Sequence, residues 1–156
     1  KAERRRTCPA IPGGAVITIT IPGPPVGKGR PKFARRGAFV KTYTPEKTAN
    51  YEALVKMAAQ EAMAGMPPLD GPVSIDLWLG INPPASWSNK KALAALAGQT
   101  APTTKPDLDN TLKGIMDACN GIVWLDDKQV VQAIIRKRYS ATPQAVLRVS
   151  EWSGIS

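Results

Sequence analysis

A single amphipathic helix, bounded by Pro106 and Gly121, dictates much of how this chain can fold. Its apolar residues recur three and four positions apart and form one stripe: Leu108, Leu112, Ile115, Met116 and Cys119. Pro106 favours a helix start just after it, and Gly121 provides a stop. Because an apolar stripe must be buried, we predict that a helix over residues 107–120 packs on a separate hydrophobic layer.

Further patterns predict the elements around this helix. Residues 15–21 and 72–81 alternate in hydrophobicity, which is typical of half-buried strands. A helix is predicted from Thr44 as N-cap, with Pro45 in its first turn, to about Gly65, and another over residues 86–97. Residues 22–37 are expected to form a turn-rich loop, residues 38–44 a strand, and residues 129–139 and 144–152 a closing hairpin. Fifteen prolines and thirteen glycines argue against a helical bundle, so the predicted fold is α+β, with a small mixed or antiparallel sheet and packed helices.

Five aspartates lie in or just after the amphipathic helix: Asp107, Asp109, Asp117, Asp126 and Asp127. Asp107 follows proline and is expected at the N-cap, from which its carboxylate can turn towards Asp109. Two neighbouring carboxylates repel each other unless a cation lies between them, and Mg²⁺ or Mn²⁺ prefers such oxygen ligands. The Asp126–Asp127 pair comes where the chain enters a strand, within reach of the first pair. Asp117 is expected on the exposed side, solvated or paired with Lys113. The alternative is that Asp107 only caps the helix and Asp109 only complements its dipole.

The excess positive charge lies at the N-terminal end. Residues 1–41 contain ten Lys or Arg and one Glu, a net charge of +9, whereas residues 42–156 contain eleven basic and eleven acidic residues. Such a segment attracts phosphate through Coulomb forces and counterion release. Residues 1–14 are predicted to be a basic tail, with a solubilising role as the alternative, and residues 15–156 a single domain. Glycines and prolines interleaved with the bases of residues 27–37 indicate a shaped loop. Its predicted nucleic-acid contacts are Lys28, Arg30, Lys32, Arg35 and Arg36.

Composition excludes several functional classes. The chain contains no histidine, so it has no His-based zinc site, Ser-His-Asp triad or His general base. It has no Gly-x-x-x-x-Gly-Lys-Ser/Thr loop, so no nucleotide cofactor is expected. Cys8 and Cys119 are too few and too far apart for a disulfide framework. No apolar run approaches a membrane span and no signal-peptide core follows the basic start, so we expect a cytoplasmic protein without membrane contact.

Two motifs resemble those of one nuclease family. The first reads Lys-Pro-Asp-Leu-Asp-Asn at residues 105–110 and continues with Lys113 one turn later and Trp-Leu-Asp-Asp at residues 124–127. It resembles the core motif of the RusA family of Holliday junction resolvases, which are often carried by phages and prophages. The strand and basic Gly/Pro loop of residues 21–31 are similar to that family's second signature, and residues 42–45 and 51–52 to the block that follows. The resemblance covers roughly residues 15–140.

The resemblance implies an activity and the residues that carry it. It implies an α+β homodimer that resolves four-way DNA junctions by paired symmetric nicks in recombination and repair, in the cytoplasm of a bacterium or phage-infected cell. The family's metal-binding aspartates correspond to Asp107, Asp109 and Asp127, with Asp126 as a less certain neighbour, and its catalytic-site lysine corresponds to Lys113. The expected cofactor is Mg²⁺, for which Mn²⁺ can substitute. Two alternatives remain open: a nuclease that also cuts forks and flaps, and a basic DNA-binding protein without catalysis.

Overall fold

A computed structural model of the chain describes residues 16–29, 32–36, 39–43 and 46–154. Over these ranges the chain forms six β-strands, three α-helices and a 3₁₀ turn. In chain order they are β1 (Ile17–Pro22), β2 (Lys32–Arg36), β3 (Phe39–Tyr43), α1 (Glu46–Met63), β4 (Val73–Ile81), α2 (Asn89–Leu96), α3 (Leu108–Cys119), the 3₁₀ turn (Asp127–Gln129), β5 (Val130–Tyr139) and β6 (Gln144–Glu151). This architecture agrees with the predicted α+β class. The predicted basic tail of residues 1–14 lies outside the described residues, as do Arg30, Thr44 and Pro45.

Four strands form a mixed sheet in the order β1–β6–β4–β5. Strand β6 is antiparallel to both β1 and β4, whereas β5 runs parallel to β4. The predicted closing hairpin is therefore wrong, because β4 lies between the two strands that were expected to pair. Every residue of β4 is buried or half-buried, so this strand is central and has a partner on each edge. The parallel partner requires a long crossover, and the chain from β4 to β5 supplies it with α2 and α3.

The second sheet is a hairpin of β2 and β3, in which Lys32 pairs with Tyr43 and Arg36 with Phe39. Strand β3 lies within the predicted strand of residues 38–44. The strand over residues 32–36 corrects the prediction of a loop throughout residues 22–37. Two residues separate β2 from β3, which is a common connection length for a β-hairpin. The strand over residues 32–36 was not predicted, because the glycines and prolines around its basic residues favour a loop.

The core lies between the four-stranded sheet and helices α1 and α3. Its fully buried side chains come from the sheet, from α1 and α3, and from the segment after α3, and they include Ile19, Val55, Ile75, Leu77, Ile115, Trp124 and Leu147. Helix α3 buries Ile115 and Cys119 as predicted, and Leu112 and Met116 pack against the core from partly buried positions. Leu108 was expected in the buried stripe but is 38% exposed, because the first turn of α3 lies at the surface.

The helix ends follow their local sequence signals. Helix α1 ends at Met63, just before Gly65, whose φ of 82° is a left-handed conformation that glycine adopts without strain. Helix α2 begins at Asn89 rather than residue 86, because the Ser88 side chain caps it by accepting a hydrogen bond from the Lys91 N–H at 3.2 Å. Among the described residues, no helix combines the length and apolar character needed to cross a membrane.

Candidate active site

Asp107 occupies the N-cap position of α3, but its side chain does not cap the helix. Its carbonyl oxygen accepts hydrogen bonds from the Thr111 N–H at 3.1 Å and the Thr111 hydroxyl at 2.9 Å. Its carboxylate accepts instead from the side-chain amide of Asn110, at 3.3 Å. A capping aspartate would accept a backbone N–H of the first turn. Helix capping alone therefore does not account for Asp107, whose exposed carboxylate is accessible to a ligand.

Lys137 of β5 holds the segment that leads into α3. Its ammonium donates hydrogen bonds to the carbonyl oxygens of Thr104, at 2.7 Å, and Pro106, at 3.1 Å. Because Asp107 follows directly, these two bonds tie the position of its backbone to the sheet. Lys137 was not among the predicted site residues, because a lysine in a strand carries no local signal of its partners.

Lys113 connects α3 to the 3₁₀ turn. Its ammonium lies 3.2 Å from the Asp117 carboxylate, one helical turn further on, and 3.6 Å from the Asp127 carboxylate. The predicted pairing of Asp117 with Lys113 is therefore confirmed. The hydrogen bond to Asp117, together with the negative charges of Asp117 and Asp127, raises the pKa of Lys113 above its ordinary value. Lys113 consequently stays protonated at neutral pH and acts as a cation rather than as a base.

Lys28 packs against the same face of α3. Its backbone N–H donates to the carbonyl oxygen of Asn110 at 3.1 Å, and its ammonium forms an ion pair with Asp117. Lys28 also lies beside Gly114, where a Cβ would make an ordinary contact 3.5 Å from the Cβ of Lys28. Lys28 was predicted to contact nucleic acid, whereas in the structure its ammonium is paired with Asp117.

Asp117 is thus held by two lysines. Partial burial would raise the pKa of its carboxyl, but hydrogen bonds from Lys28 and Lys113 outweigh this effect and hold the pKa below its usual value. The prediction that Asp117 lies on the exposed side needs correction, since only 23% of its side chain is exposed. The reason is the loop of residues 27–29, which covers this part of the helix.

The aspartate pair after α3 lies on a turn with reciprocal capping bonds. The Asp126 carboxylate accepts the Lys128 N–H at 2.9 Å. The side-chain oxygen of Gln129 accepts the backbone N–H groups of Leu125 and Asp126, both at 2.9 Å. This arrangement is a capping box, which fixes the backbone on both sides of Asp127. One oxygen of Asp126 is therefore already used by the fold.

Gln129 also ties this turn to the segment before β4. Its side-chain NH₂ group donates to the carbonyl oxygens of Leu69, at 2.8 Å, and Gly71, at 2.9 Å. Gln129 was predicted only as the first residue of a strand, without a role in the site. A glutamine three residues after an aspartate is the signature of a capping box, and this signal could have identified it.

Asp127 shares its surroundings with two other carboxylates. Partial burial and its contacts with Asp126 and Asp117 raise the pKa of Asp127, although the charge of Lys113 lowers it. The pKa of Asp126 is lowered, mainly because its carboxylate accepts the Lys128 N–H. Because the pKa of Asp127 is raised, additional positive charge beside its carboxylate would stabilise the charged form.

The structure brings Asp117, Asp126 and Asp127 together around Lys113, whereas Asp107 and Asp109 lie at the start of α3. A rise of about 1.5 Å per residue separates Asp109 from Asp117 by about 12 Å along the helix. In the part of the chain that the structure describes, no three Asp, Glu, Cys or His side chains approach closely enough to hold a metal ion. The donors are all carboxylate oxygens, which is the ligand type that Mg²⁺ prefers. The chemistry of the donor set therefore fits Mg²⁺.

The other predicted nucleic-acid contacts lie near the hairpin. Lys32, Arg35 and Arg36 are residues of β2, and the backbone pairing of this strand with β3 is described above. Arg30 lies outside the described residues. Between Lys28, which is fixed on α3, and Lys32, at the start of β2, the chain has only three residues. The basic hairpin therefore starts close to the acidic site.

Comparisons with known proteins agree with this arrangement. The family described as "Endodeoxyribonuclease RusA" matches residues 22–150, which include the first signature motif and all of the second except Ile21. A relative from Bacillus subtilis (strain 168), "Uncharacterized protein YqaN", is 37% identical over 139 residues, which cover 88% of this chain and 97% of the relative. The family match supports nuclease activity on branched DNA junctions. This chain belongs to the RusA endodeoxyribonuclease family.

Proposed function

We propose that this protein is a Mg²⁺-dependent endodeoxyribonuclease that acts as a homodimer and resolves four-way DNA junctions by paired symmetric nicks. The observation that carries the proposal is the position of Lys113 between Asp117 of α3 and Asp127 of the 3₁₀ turn. A protonated lysine beside several carboxylates is an arrangement suited to phosphodiester cleavage, because it combines metal ligands with a cation for the phosphate.

Asp107, Asp109 and Asp127 are the residues proposed to hold Mg²⁺, or Mn²⁺ in its place. The Asp107 carboxylate is not used to cap α3, and Asp109 is exposed in the first turn. Asp126 is a weaker candidate, because one of its oxygens accepts the Lys128 N–H. The metal, when bound, supplies a water nucleophile at neutral pH and stabilises negative charge on the phosphate.

Lys113 is proposed to stabilise the transition state. Water attacks the phosphorus and loses a proton, the bond from phosphorus to the 3′-oxygen breaks, and the leaving 3′-oxygen takes up a proton to become a hydroxyl. Negative charge grows on the phosphate oxygens during this step. A protonated ammonium offsets that charge. The ion pairs with Asp117 and Asp127 orient the ammonium before DNA binds, which reduces the cost of arranging it during the reaction.

A homodimer would place one acidic site on each of two opposing strands. A four-way junction has approximate twofold symmetry, and the commonest oligomers of soluble proteins are twofold symmetric dimers. Two symmetric nicks then yield two intact duplexes. The basic residues Lys32, Arg35 and Arg36 of β2 are proposed to contact backbone phosphates near the branch, which favours selection by shape rather than by base sequence.

The test is a cleavage assay on a labelled four-way junction, a Y-fork and a linear duplex, each with Mg²⁺ or with EDTA. We expect symmetric nicks that require Mg²⁺ and occur only in the junction. Equal cleavage of the fork would replace junction resolution with a broader branched-DNA nuclease. Tight junction binding without cleavage in Mg²⁺ or Mn²⁺ would refute the enzymatic proposal and favour a DNA-binding protein.

A further inference from the structure

A groove of about 410 Å³ opens beside the start of α3. Its walls come from three separate parts of the chain: residues 25–29, the start of α1 at Lys47 and Thr48, and the segment from Lys105 to Asn110. Lys28, Lys47 and Lys105 line it, whereas Asp107 is the one acidic residue of the lining. We call this feature the lysine groove.

Two of these lysines have no partner within the described part of the chain. Lys28 is paired with Asp117, which does not line the groove. Lys47 and Lys105 are both exposed, and neither forms an ion pair or a side-chain hydrogen bond with another described residue. The lining therefore includes two lysines without a described partner, from separate parts of the chain, together with Asp107.

The floor of the lysine groove is fixed by backbone contacts. The Gly29 N–H donates to the hydroxyl of the buried Thr48 at 2.9 Å, and the Lys28 N–H donates to the Asn110 carbonyl at 3.1 Å. Gly27 lies close to α3, since a Cβ there would be 3.5 Å from that of Asn110. The floor is thus held between α1 and α3 before any ligand binds, which limits the entropy lost on binding.

We propose that the lysine groove binds backbone phosphate of the DNA strand next to the cleaved phosphodiester, through Lys47 and Lys105. This inference rests on the proposed function, because it takes the same substrate and uses Asp107 to place the scissile phosphate. Lysine ammonium groups attract phosphate as point charges and do not distinguish bases. The volume lies within the range of small-molecule sites and accommodates part of a nucleotide strand. Phosphate binding in the lysine groove thus fixes the path of the DNA strand across the acidic site.

The first experiment compares Lys47→Ala/Lys105→Ala with Lys56→Ala/Lys90→Ala, which removes two exposed lysines of α1 and α2 outside the groove. Junction binding is measured by fluorescence anisotropy in EDTA over a range of salt concentrations. We expect the groove variant to bind about tenfold more weakly and its salt slope to fall by about 2, since each lysine–phosphate contact contributes about 1. The control should change little, and Lys47→Arg/Lys105→Arg should bind like the wild type.

The second experiment locates the contact. Single phosphates near the cut are replaced by uncharged methylphosphonates, and binding is measured again for each substituted junction. At one or two positions the wild type should lose affinity, whereas Lys47→Ala/Lys105→Ala should lose nothing further there. Equal weakening by the groove and control variants, or an unchanged methylphosphonate pattern in the groove variant, would overturn the inference.

Binding and cleavage of branched DNA by the wild type distinguish a failure of the groove assignment from a failure of the proposed nuclease function. If the wild type binds the junction but cuts no branched DNA in Mg²⁺, the proposed nuclease function fails, while the methylphosphonate pattern still decides whether the groove binds phosphate. If the wild type cuts junctions and the groove variant binds and cuts like the control, only the groove assignment fails. If the wild type does not bind branched DNA at all, both are refuted.

Discussion

Replacing Gln129 with alanine is expected to loosen the turn that carries Asp126 and Asp127. The Gln129 side chain takes part in four hydrogen bonds of 2.8 to 2.9 Å, two accepted from backbone N–H groups and two donated to carbonyl oxygens. A neutral hydrogen bond contributes about 1 kcal/mol of net stability. Leu125 and Asp126 are exposed, so water replaces part of the lost acceptor. We therefore expect a loss of about 2 to 3 kcal/mol rather than about 4 kcal/mol.

Urea denaturation measures this change, with Gln132→Ala as the matched control. Gln132 lies on β5, is exposed, and makes no side-chain hydrogen bond with the residues described, so its loss should stay within about 0.5 kcal/mol. Gln129→Glu keeps an acceptor for Leu125 and Asp126 but places a carboxylate oxygen against the carbonyl oxygens of Leu69 and Gly71, so it should also be less stable than the wild type. If Gln129→Ala is as stable as Gln132→Ala, the argument from the four hydrogen bonds is wrong.

Gln129→Ala also distinguishes a role of Gln129 in positioning Asp127 from a purely structural role. Gln129 does not belong to the predicted DNA-contacting set, and its turn carries Asp127. Provided that the variant is assayed where it remains folded, kcat on a four-way junction should fall while KM changes little. A rise in KM with an unchanged kcat would show that the turn serves DNA binding instead.

Three further predictions concern α3. Asp109→Asn should lower the rate of junction cleavage at least about 100-fold, which is the scale expected for the loss of a charge-stabilising group. Junction binding in EDTA should stay equal or tighten. Cleavage at the wild-type rate would refute the assignment of Asp109 as a metal ligand. The pKa of Lys113 is raised above 10.5, so its ion pairs should stabilise the fold fully below pH 10.5 and lose this effect as the pH rises through the folded-state pKa. The measurement is the free energy of unfolding in urea, compared between the wild type and Lys113→Met. A difference in this free energy that varies over the neutral range would contradict the prediction. Gly114→Ala should be tolerated or should stabilise the fold by up to about 1 kcal/mol, because the added Cβ would make an ordinary contact 3.5 Å from Lys28. Gly114→Leu should displace Lys28 and lower the thermal stability. Equal thermal stability of the two variants would show that Lys28 does not pack closely here.

The elements that sequence predicts well are those whose signals are local. Asp107 directly precedes α3 and Gly121 follows its end closely, so both end signals lie beside the helix in sequence. The alternating hydrophobicity of residues 72–81 identifies β4. Strand pairing depends on partners far along the chain. Strands β5 and β6 are close in sequence and were expected to form a hairpin, yet both pair with β4 because its burial requires two neighbours.

The same distinction holds at the site. Asp117 and Lys113 are one helical turn apart, so their ion pair could be predicted from spacing alone. The pairing of Lys28 with Asp117 joins residues 89 positions apart and could not be predicted, because it depends on how the N-terminal loop crosses α3. Lys137 was missed for the same reason, since its side chain bonds to backbone carbonyls of a distant segment. Gln129 differs, because its spacing from Asp126 is a local signal of a capping box.

The two signature motifs form one physical unit, which backbone contacts and an ion pair hold together. The ion pair between Lys28 and Asp117 joins side chains that are only 33% and 23% exposed, so salt screens it less than a surface pair. The Lys28 N–H bond to Asn110, the Gly29 N–H bond to Thr48 and the close approach at Gly114 do not depend on ionic strength. High salt therefore weakens phosphate binding by the basic residues while the loop keeps its position on α3. It follows that the salt dependence of cleavage should reflect DNA binding and not a rearrangement of the acidic site.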